Sequence, residues 1–238
     1  TNLARPDQQW KVRFISRRWP HHSDHSGYDQ IVQWLGAPLN APDMRNLLKK
    51  WIPGRLAVKL AARSGVKGYS YERFYYEWSA AQHMFRHLGT PGVYHILYGD
   101  SDCRYLGKLG NMLGSRVVAT FHLPPDGLRR NLARTKHLRD LHAIIVVGRS
   151  QLPFFADIVD RERVFWVPHG VCTEVFRPAP HAQSEDKGRG LTCLFVGMHL
   201  RDLDTLYETI QLTSKRDQRV RFILVSDPSR LTRFVHLS

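Results

Sequence analysis

Cysteine is scarce in this sequence, and so is acid. Cys103, Cys172 and Cys193 are the three cysteines in 238 residues. Far apart and odd in number, they make neither a disulfide framework nor a CxxC metal site. The plain expectation is buried free thiols in a reducing compartment. Long hydrophobic runs are missing too. The longest aliphatic stretch lies near Ala143–Val147, far short of the ~20 apolar residues that a membrane-spanning helix needs. The opening stretch, Thr1 to Trp10, is polar, and no secretory leader is expected in it. There is no GxGxxG and no GxxxxGK[ST], so the usual dinucleotide and P-loop signatures are absent. There is also no GxSxG, the elbow on which a Ser/His/Asp hydrolase mounts its nucleophile.

The shortage of acid leaves 21 Asp+Glu against 35 Lys+Arg, a formal net charge of +14. Such a balance points to an anionic partner: nucleic acid, phosphate or acidic lipid. No helix-turn-helix, zinc-finger or RNP-like pattern supports a specific nucleic-acid reader. Residues 1–180 carry 26 basic and 14 acidic residues, a net +12, whereas 181–238 carry 9 and 7, a net +2. No acid lies between Asp43 and Glu72, an interval that holds Arg45, Lys49, Lys50, Trp51, Arg55, Lys59, Arg63 and Lys67. Pro53-Gly54 divides it into two short basic amphipathic pieces. Two readings stand side by side: a solvated helix face packed on a core, or a surface for an anionic membrane. In the second, Arg45, Lys49, Lys50, Trp51, Arg55 and Lys59 would meet the headgroups. Asp100 and Asp102 are the main acids at predicted strand ends, which leaves little for a paired-carboxylate glycosidase.

The 42% hydrophobic and 11% aromatic content suffices for a core and excludes a wholly disordered chain. Strands are expected over 12–16, 93–98, 116–121, 143–147 and 164–167. Helices are expected over 28–35, 71–88 and 103–113, with another after Ser150 as its cap. This alternation predicts an α/β fold built on a Rossmann-like parallel sheet over 1–177. A stretch rich in proline, glycine and polar residues at 178–190 reads as a linker. Beyond it come a strand at 191–196, a helix at 204–212 and a strand at 220–225. Two strands and one helix cannot cover both faces of a parallel sheet, so 191–238 is expected to be an incomplete second Rossmann-like domain.

Ligands of open α/β sheets bind beyond the carboxyl ends of the strands. After the first strand come Ser26, Gly27 and Tyr28, either a plain turn or a glycine that lets backbone N–H groups approach a phosphate or sugar. The neighbouring His21, His22, Asp24 and His25 suggest metal ligands. Adjacent histidines rarely reach one ion, and no metal is expected. His122 follows the 116–121 strand, as a hydrogen-bonding group for a substrate or as a satisfied core histidine. His169 sits in the glycine turn Val167-Pro168-His169-Gly170. In the second unit Gly197 ends a strand, His199 follows, and Arg201 opens a helix as a diphosphate clamp or a plain surface arginine.

Taken in order, four stretches carry a resemblance: VVATFHLPP (117–125), HAIIVVGRSQ (142–151), RVFWVPHGVCTEVFRP (163–178) and LTCLFVGMHLRDLDTL (191–206). Together with SGY at 26–28, the chain resembles retaining, nucleotide-sugar-dependent glycosyltransferases of the GT-B type, glycosyltransferase family 4. The resemblance covers most of 10–225, with 40–90 matching only in general character. It implies two Rossmann-like domains with an acceptor on the first and a nucleoside-diphosphate sugar on the second. A hexose would pass to a hydroxyl of a glycan or lipid-linked acceptor with retention, without an obligatory metal or other cofactor. By the same resemblance Gly27 approaches the donor, His122 contacts the transferred sugar, Gly197 and His199 line the donor site, and Arg201 clamps the diphosphate. His122 and Arg201 are then the catalytic candidates, and Ser26, Tyr28, Asp100 and His169 the acceptor-side ones. A cytoplasmic enzyme, peripheral at the inner face of the membrane, is the implied setting.

The pattern departs from the family in four places. Gly197-Met198 stands for Gly-Arg, Arg201-Asp202 for Lys-Gly, and Cys172 for an aspartate. The family's two glutamates separated by seven residues have no counterpart, since no two Glu here lie eight apart. The chain is therefore expected to be a fragment of a longer enzyme or an inactive relative. The second possibility makes it a non-catalytic protein that binds a sugar nucleotide or glycan on the same fold.

Overall fold

The computed structural model describes residues 11–16, 25, 27–37, 39–40, 54–90, 92–178, 190–197 and 201–237. It divides into two compact units, Thr1–Phe176 and Arg177–Ser238.

The first unit is an α/β fold on a parallel sheet. Its strands are β1 Val12–Ile15, β2 Leu39–Asn40, β3 Val93–Ile96, β4 Arg116–Phe121, β5 Ala143–Val146 and β6 Val164–Trp166, in the spatial order β2-β1-β3-β4-β5-β6. Every neighbouring pair is parallel. The chain moves outward one way from β1 to β2 and the other way from β3 onward. The strand order therefore reverses between β1 and β3, the switch point at which such sheets open a crevice. The two-residue β2 was not expected from the sequence, because so short an edge strand carries no periodicity.

Alternation along the strands separates two faces. Ile15, Tyr94, Ile96, Val117, Ala119, Phe121, Ile144 and Val146 all join the main hydrophobic core. The helices on that side are α2 Gly54–Ala62, α3 Tyr71–Arg86, α5 Leu106–Met112 and α6 Pro125–Asn131. On the other face Phe14, with Val32 of α1 Gln30–Trp34 and Leu97, forms a small cluster.

The helix α3 starts where Ser70 Oγ accepts the Arg73 N–H and has Glu72 in its first turn and Arg86 in its last, matching the helix dipole at both ends. It stops two residues before the expected Leu88. Its Glu77 is buried, and its carboxylate accepts the Tyr69 hydroxyl (2.7 Å), the N–H groups of Arg104 and Tyr105 (2.7 Å each) and that of Leu106 (3.2 Å). The orphan N–H groups at the start of α5 are thus satisfied from α3.

Two local expectations are corrected. The strand predicted to reach Tyr98 stops at Ile96, and a short α4, Gly99–Asp102, precedes α5 in place of one helix over 103–113. Gly99 allows this: a Cβ there would lie 2.8 Å from Thr120 O of β4. Ser150 caps no helix. Residues Arg149–Gln151 form a 3-10 turn leading into α7 Leu152–Ala156, and the Gln151 side chain takes the Gly148 N–H at 2.7 Å. Cys103 is buried with its thiol on Gly99 O (3.1 Å), while Cys172 and Cys193 are half-buried, and all three are free thiols.

In the second unit β7 Thr192–Val196 pairs in parallel with β8 Arg221–Val225. The helix α8 Leu203–Arg216 and the 3-10 turn Thr232–Leu237 bury Ile210 and Phe234. Leu194, Val196, Ile223 and Val225, which share the alternate positions of the two strands, are at least half exposed. Among the described residues nothing covers this apolar face of the small sheet. Among the described residues no helix is long and apolar enough to cross a membrane.

Candidate functional site

A cavity of about 310 Å³ opens beyond the carboxyl ends of the first unit's strands. Its lining comes from separated stretches: Gly27 and Tyr28 before α1, Trp34 within it, His95 and Leu97 of and after β3, Thr120 and His122 at the end of β4, and Val167–Gly170 after β6. Gly27 has φ 120°, a conformation open to glycine and strained for other residues. A Cβ on Gly170 would come within 2.9 Å of the Trp34 ring, so the 167–170 turn sits directly on α1.

Three rings meet here. Tyr28 stacks on His122 with centroids 3.7 Å apart and planes 4° apart, and on His169 at 4.8 Å and 2°. His122 Nδ1 lies 3.2 Å from His169 Nε2, and His122 Nε2 lies 2.6 Å from Leu97 O. Burial lowers the His122 pKa to about 4 and also lowers that of His169. His95, on the floor, has its Nε2 2.7 Å from Thr120 Oγ1 and is held at about 4 by burial and by His122 nearby. None of the lining residues carries a full charge at neutral pH.

The loop bearing His122 is fixed from two sides. Asp100 is buried in α4, and its carboxylate accepts the N–H groups of His122 (2.8 Å) and Leu123 (3.2 Å). Gln151 donates to the carbonyls of Phe121 (3.1 Å) and Leu123 (2.8 Å). Burial raises the Asp100 carboxyl to about 6, against the hydrogen bonds that lower it. Asp100, one of the acceptor-side candidates, holds the backbone of the His122 loop through these bonds. Gln151 was missed, although it closes the quoted stretch 142–151. Its signal is a buried amide directly after a glycine turn.

The second unit brings Gly197 and Arg201 together. Gly197 has φ +94°, and the Arg201 Nε lies 3.9 Å from where its Cβ would stand. The helix begins at Leu203, so Arg201 precedes α8 rather than opening it. Asp202 caps that helix, its carboxylate accepting the N–H groups of Asp204 (3.1 Å) and Thr205 (3.0 Å). An acid therefore stands at the helix start beside the arginine.

Of the basic segment, α2 is described. Ala57 and Ala61 are buried in the core, while Arg55, Lys59 and Arg63 are exposed, flanked by exposed Leu56 and Val58. Packing and cationic display are thus two faces of one helix. The Lys67 N–H bonds Asn131 O and the Arg134 N–H bonds Gly65 O, beside a Val66–Leu132 bridge. This lays the turn that follows α2 along the stretch that carries exposed Arg129, Arg130 and Arg134. Ser26, His199, Arg45, Lys49, Lys50 and Trp51 lie outside the described residues, as do His21, His22 and Asp24. Among the described residues no three His, Cys, Asp or Glu are grouped to hold a metal ion. No protein-family model matches the chain, and no curated protein matches it at a significant level.

Proposed function

We propose that the chain is the acceptor-side domain and the opening of the donor-side domain of a GT-B glycosyltransferase, which moves a hexose from a nucleoside-diphosphate sugar to a hydroxyl acceptor with retention. The observation that carries this reading is the convergence of Gly27, Tyr28, His122 and His169, from three separate stretches, on one cavity at the strand ends. Its aromatic and uncharged lining suits a neutral sugar or acceptor ring, and leaves the diphosphate to the other unit. There the nearness of Arg201 to Gly197 supports a guanidinium that meets the departing phosphates. Such a charge acts on the transition state because negative charge grows on the leaving group as the glycosidic bond breaks. The apolar face of β7 and β8, uncovered among the described residues, favours reading 191–238 as part of a larger donor domain.

Two observations favour the alternative, a non-catalytic sugar-nucleotide or glycan binder. No two glutamates lie eight apart, and Asp202 stands beside Arg201. Calorimetric titration of the full-length protein, with the whole of its donor domain, against UDP-glucose, GDP-mannose, UDP and GDP tests both. Binding that Arg201→Ala weakens roughly tenfold, the loss expected of one charge-assisted contact, supports the donor site. Binding without hydrolysis or transfer to added acceptors selects the alternative. No binding of any of the four would overturn the proposal.

A further inference from the structure

The two imidazoles of the first unit's cavity are not equivalent, and their hydrogen bonds say why. A carbonyl oxygen only accepts, so the 2.6 Å contact of His122 Nε2 with Leu97 O places the ring proton on Nε2. In neutral His122 the lone pair is then on Nδ1. Its partner at 3.2 Å, His169 Nε2, has to donate. Neutral His169 in turn carries its lone pair on Nδ1, an atom with no hydrogen-bond partner among the described residues. The two imidazoles are parallel to within 3° and both stack on Tyr28, which resists rotation of either. Both nitrogens of His122 are therefore used by the protein, while His169 is an exposed residue with one nitrogen left over.

We infer that His169, and not His122, is the hydrogen-bonding group this cavity presents to a ligand: an acceptor for a hydroxyl or N–H donor, whose tautomer His122 fixes as a positioning residue. The inference requires that the cavity is the ligand site but does not depend on glycosyl transfer. It also assigns the order of protonation. A proton added to His169 Nδ1 leaves the Nε2–H bond to His122 intact and charge-assisted. A charge on His122 would need the proton between the rings to pass to its Nδ1, and would then sit on the more buried of the two imidazoles. The titratable neighbours of the pair are Tyr28, whose ring stacks on both, Asp100, whose carboxyl accepts the His122 backbone N–H, and the nearby His95, with no cationic side chain in the lining.

Two measurements on the full chain test this. Long-range ¹H–¹⁵N spectra near pH 7.5 should show His122 as the Nε2–H tautomer, and on acidification His169 should titrate before His122. Carbethoxylation by diethylpyrocarbonate, which needs a free imidazole lone pair, should label His169 roughly tenfold faster than His122, the factor one engaged hydrogen bond supplies. In His169→Phe, which keeps a ring under Tyr28 but cannot donate, His122 should become as reactive as His169 was. In His169→Gln an amide N–H returns to His122 Nδ1, and protection should return with it, a rescue that loss of packing alone does not give. Wild-type His122 reacting as fast as His169, or found as the Nδ1–H tautomer, would overturn the inference without touching the donor-binding test.

Discussion

Glu77 shows how much one buried side chain settles. Its two oxygens take four donors from two parts of the chain, and burial still lifts its carboxyl to about 7. In Glu77→Gln one oxygen becomes an NH₂ that faces two donors. The loss should be about 2–4 kcal/mol, read as a lower urea midpoint with an unchanged slope. The pH dependence has a definite sign. The folded carboxyl holds a proton that the unfolded chain releases from its ordinary value of 4.5 upward. Stability from this group is present below pH 4.5 and falls as pH rises to about 7. The Gln variant should lack that fall. None of this was legible in the sequence, where Glu77 is one acid in a helix-period stretch. Burial of a charge depends on what lies across from it, here the start of α5, nearly thirty residues on.

Elements were more legible than their ends. Apolar runs and helical spacing located seven of the eight described strands and α3, because each repeats one physical pattern over several residues. Their boundaries moved where a contact from elsewhere decided them, as Gly99 against Thr120 O did for α4. The second of the two pieces expected around Pro53-Gly54 is the helix α2 from Gly54, and the first lies outside the described residues. Charge proximity was not legible: the stretch that carries Arg129, Arg130 and Arg134 joins the turn after α2 through backbone bonds of Asn131 and Arg134 that no local pattern announces. If α2 meets an acidic bilayer, the pair Arg55→Glu and Lys59→Glu should reduce binding to phosphatidylserine vesicles by an order of magnitude or more, at about 1 kcal/mol per cation near the surface. Both side chains are exposed, so the far-ultraviolet circular dichroism should stay the same. Equal binding by the double variant and the parent, or equal binding to neutral vesicles, counts against a membrane role.

The whole molecule is uneven in how much it buries. The first unit holds an extensive core on one face of its sheet, whereas in the second Ile210 and Phe234 are the buried apolar residues among those described. Hydrogen exchange should follow this contrast. Amides of β3, β4 and β5 should be protected up to the global limit, and those of β7 and β8 should exchange through local opening at much lower cost. Uniform protection across the two sheets would contradict it. The parallel α/β class was legible at this scale because short apolar runs alternate with helix-period stretches along the chain. The candidate site was legible as separate residues, Gly27, Tyr28, His122 and His169, but not as a stacked and hydrogen-bonded group. That arrangement depends on the strand order, which the sequence does not display.

The helix α5 carries Gly107 and Gly110, and a Cβ at Gly110 would lie 2.5 Å from Val117 Cγ2, while one at Gly107 would lie 3.1 Å from the Asp140 backbone. The lack of side chains lets the helix approach β4 and the 136–140 turn closely. It also makes this seven-residue segment a poor helix by itself, since each interior glycine costs about 1 kcal/mol relative to alanine. Its N–H groups, moreover, wait on Glu77 of α3. In the time course of folding, α5 is therefore a late element. It can gain helical structure only once β4 has paired and α3 is in place, so mutations in it should speed unfolding far more than they slow folding.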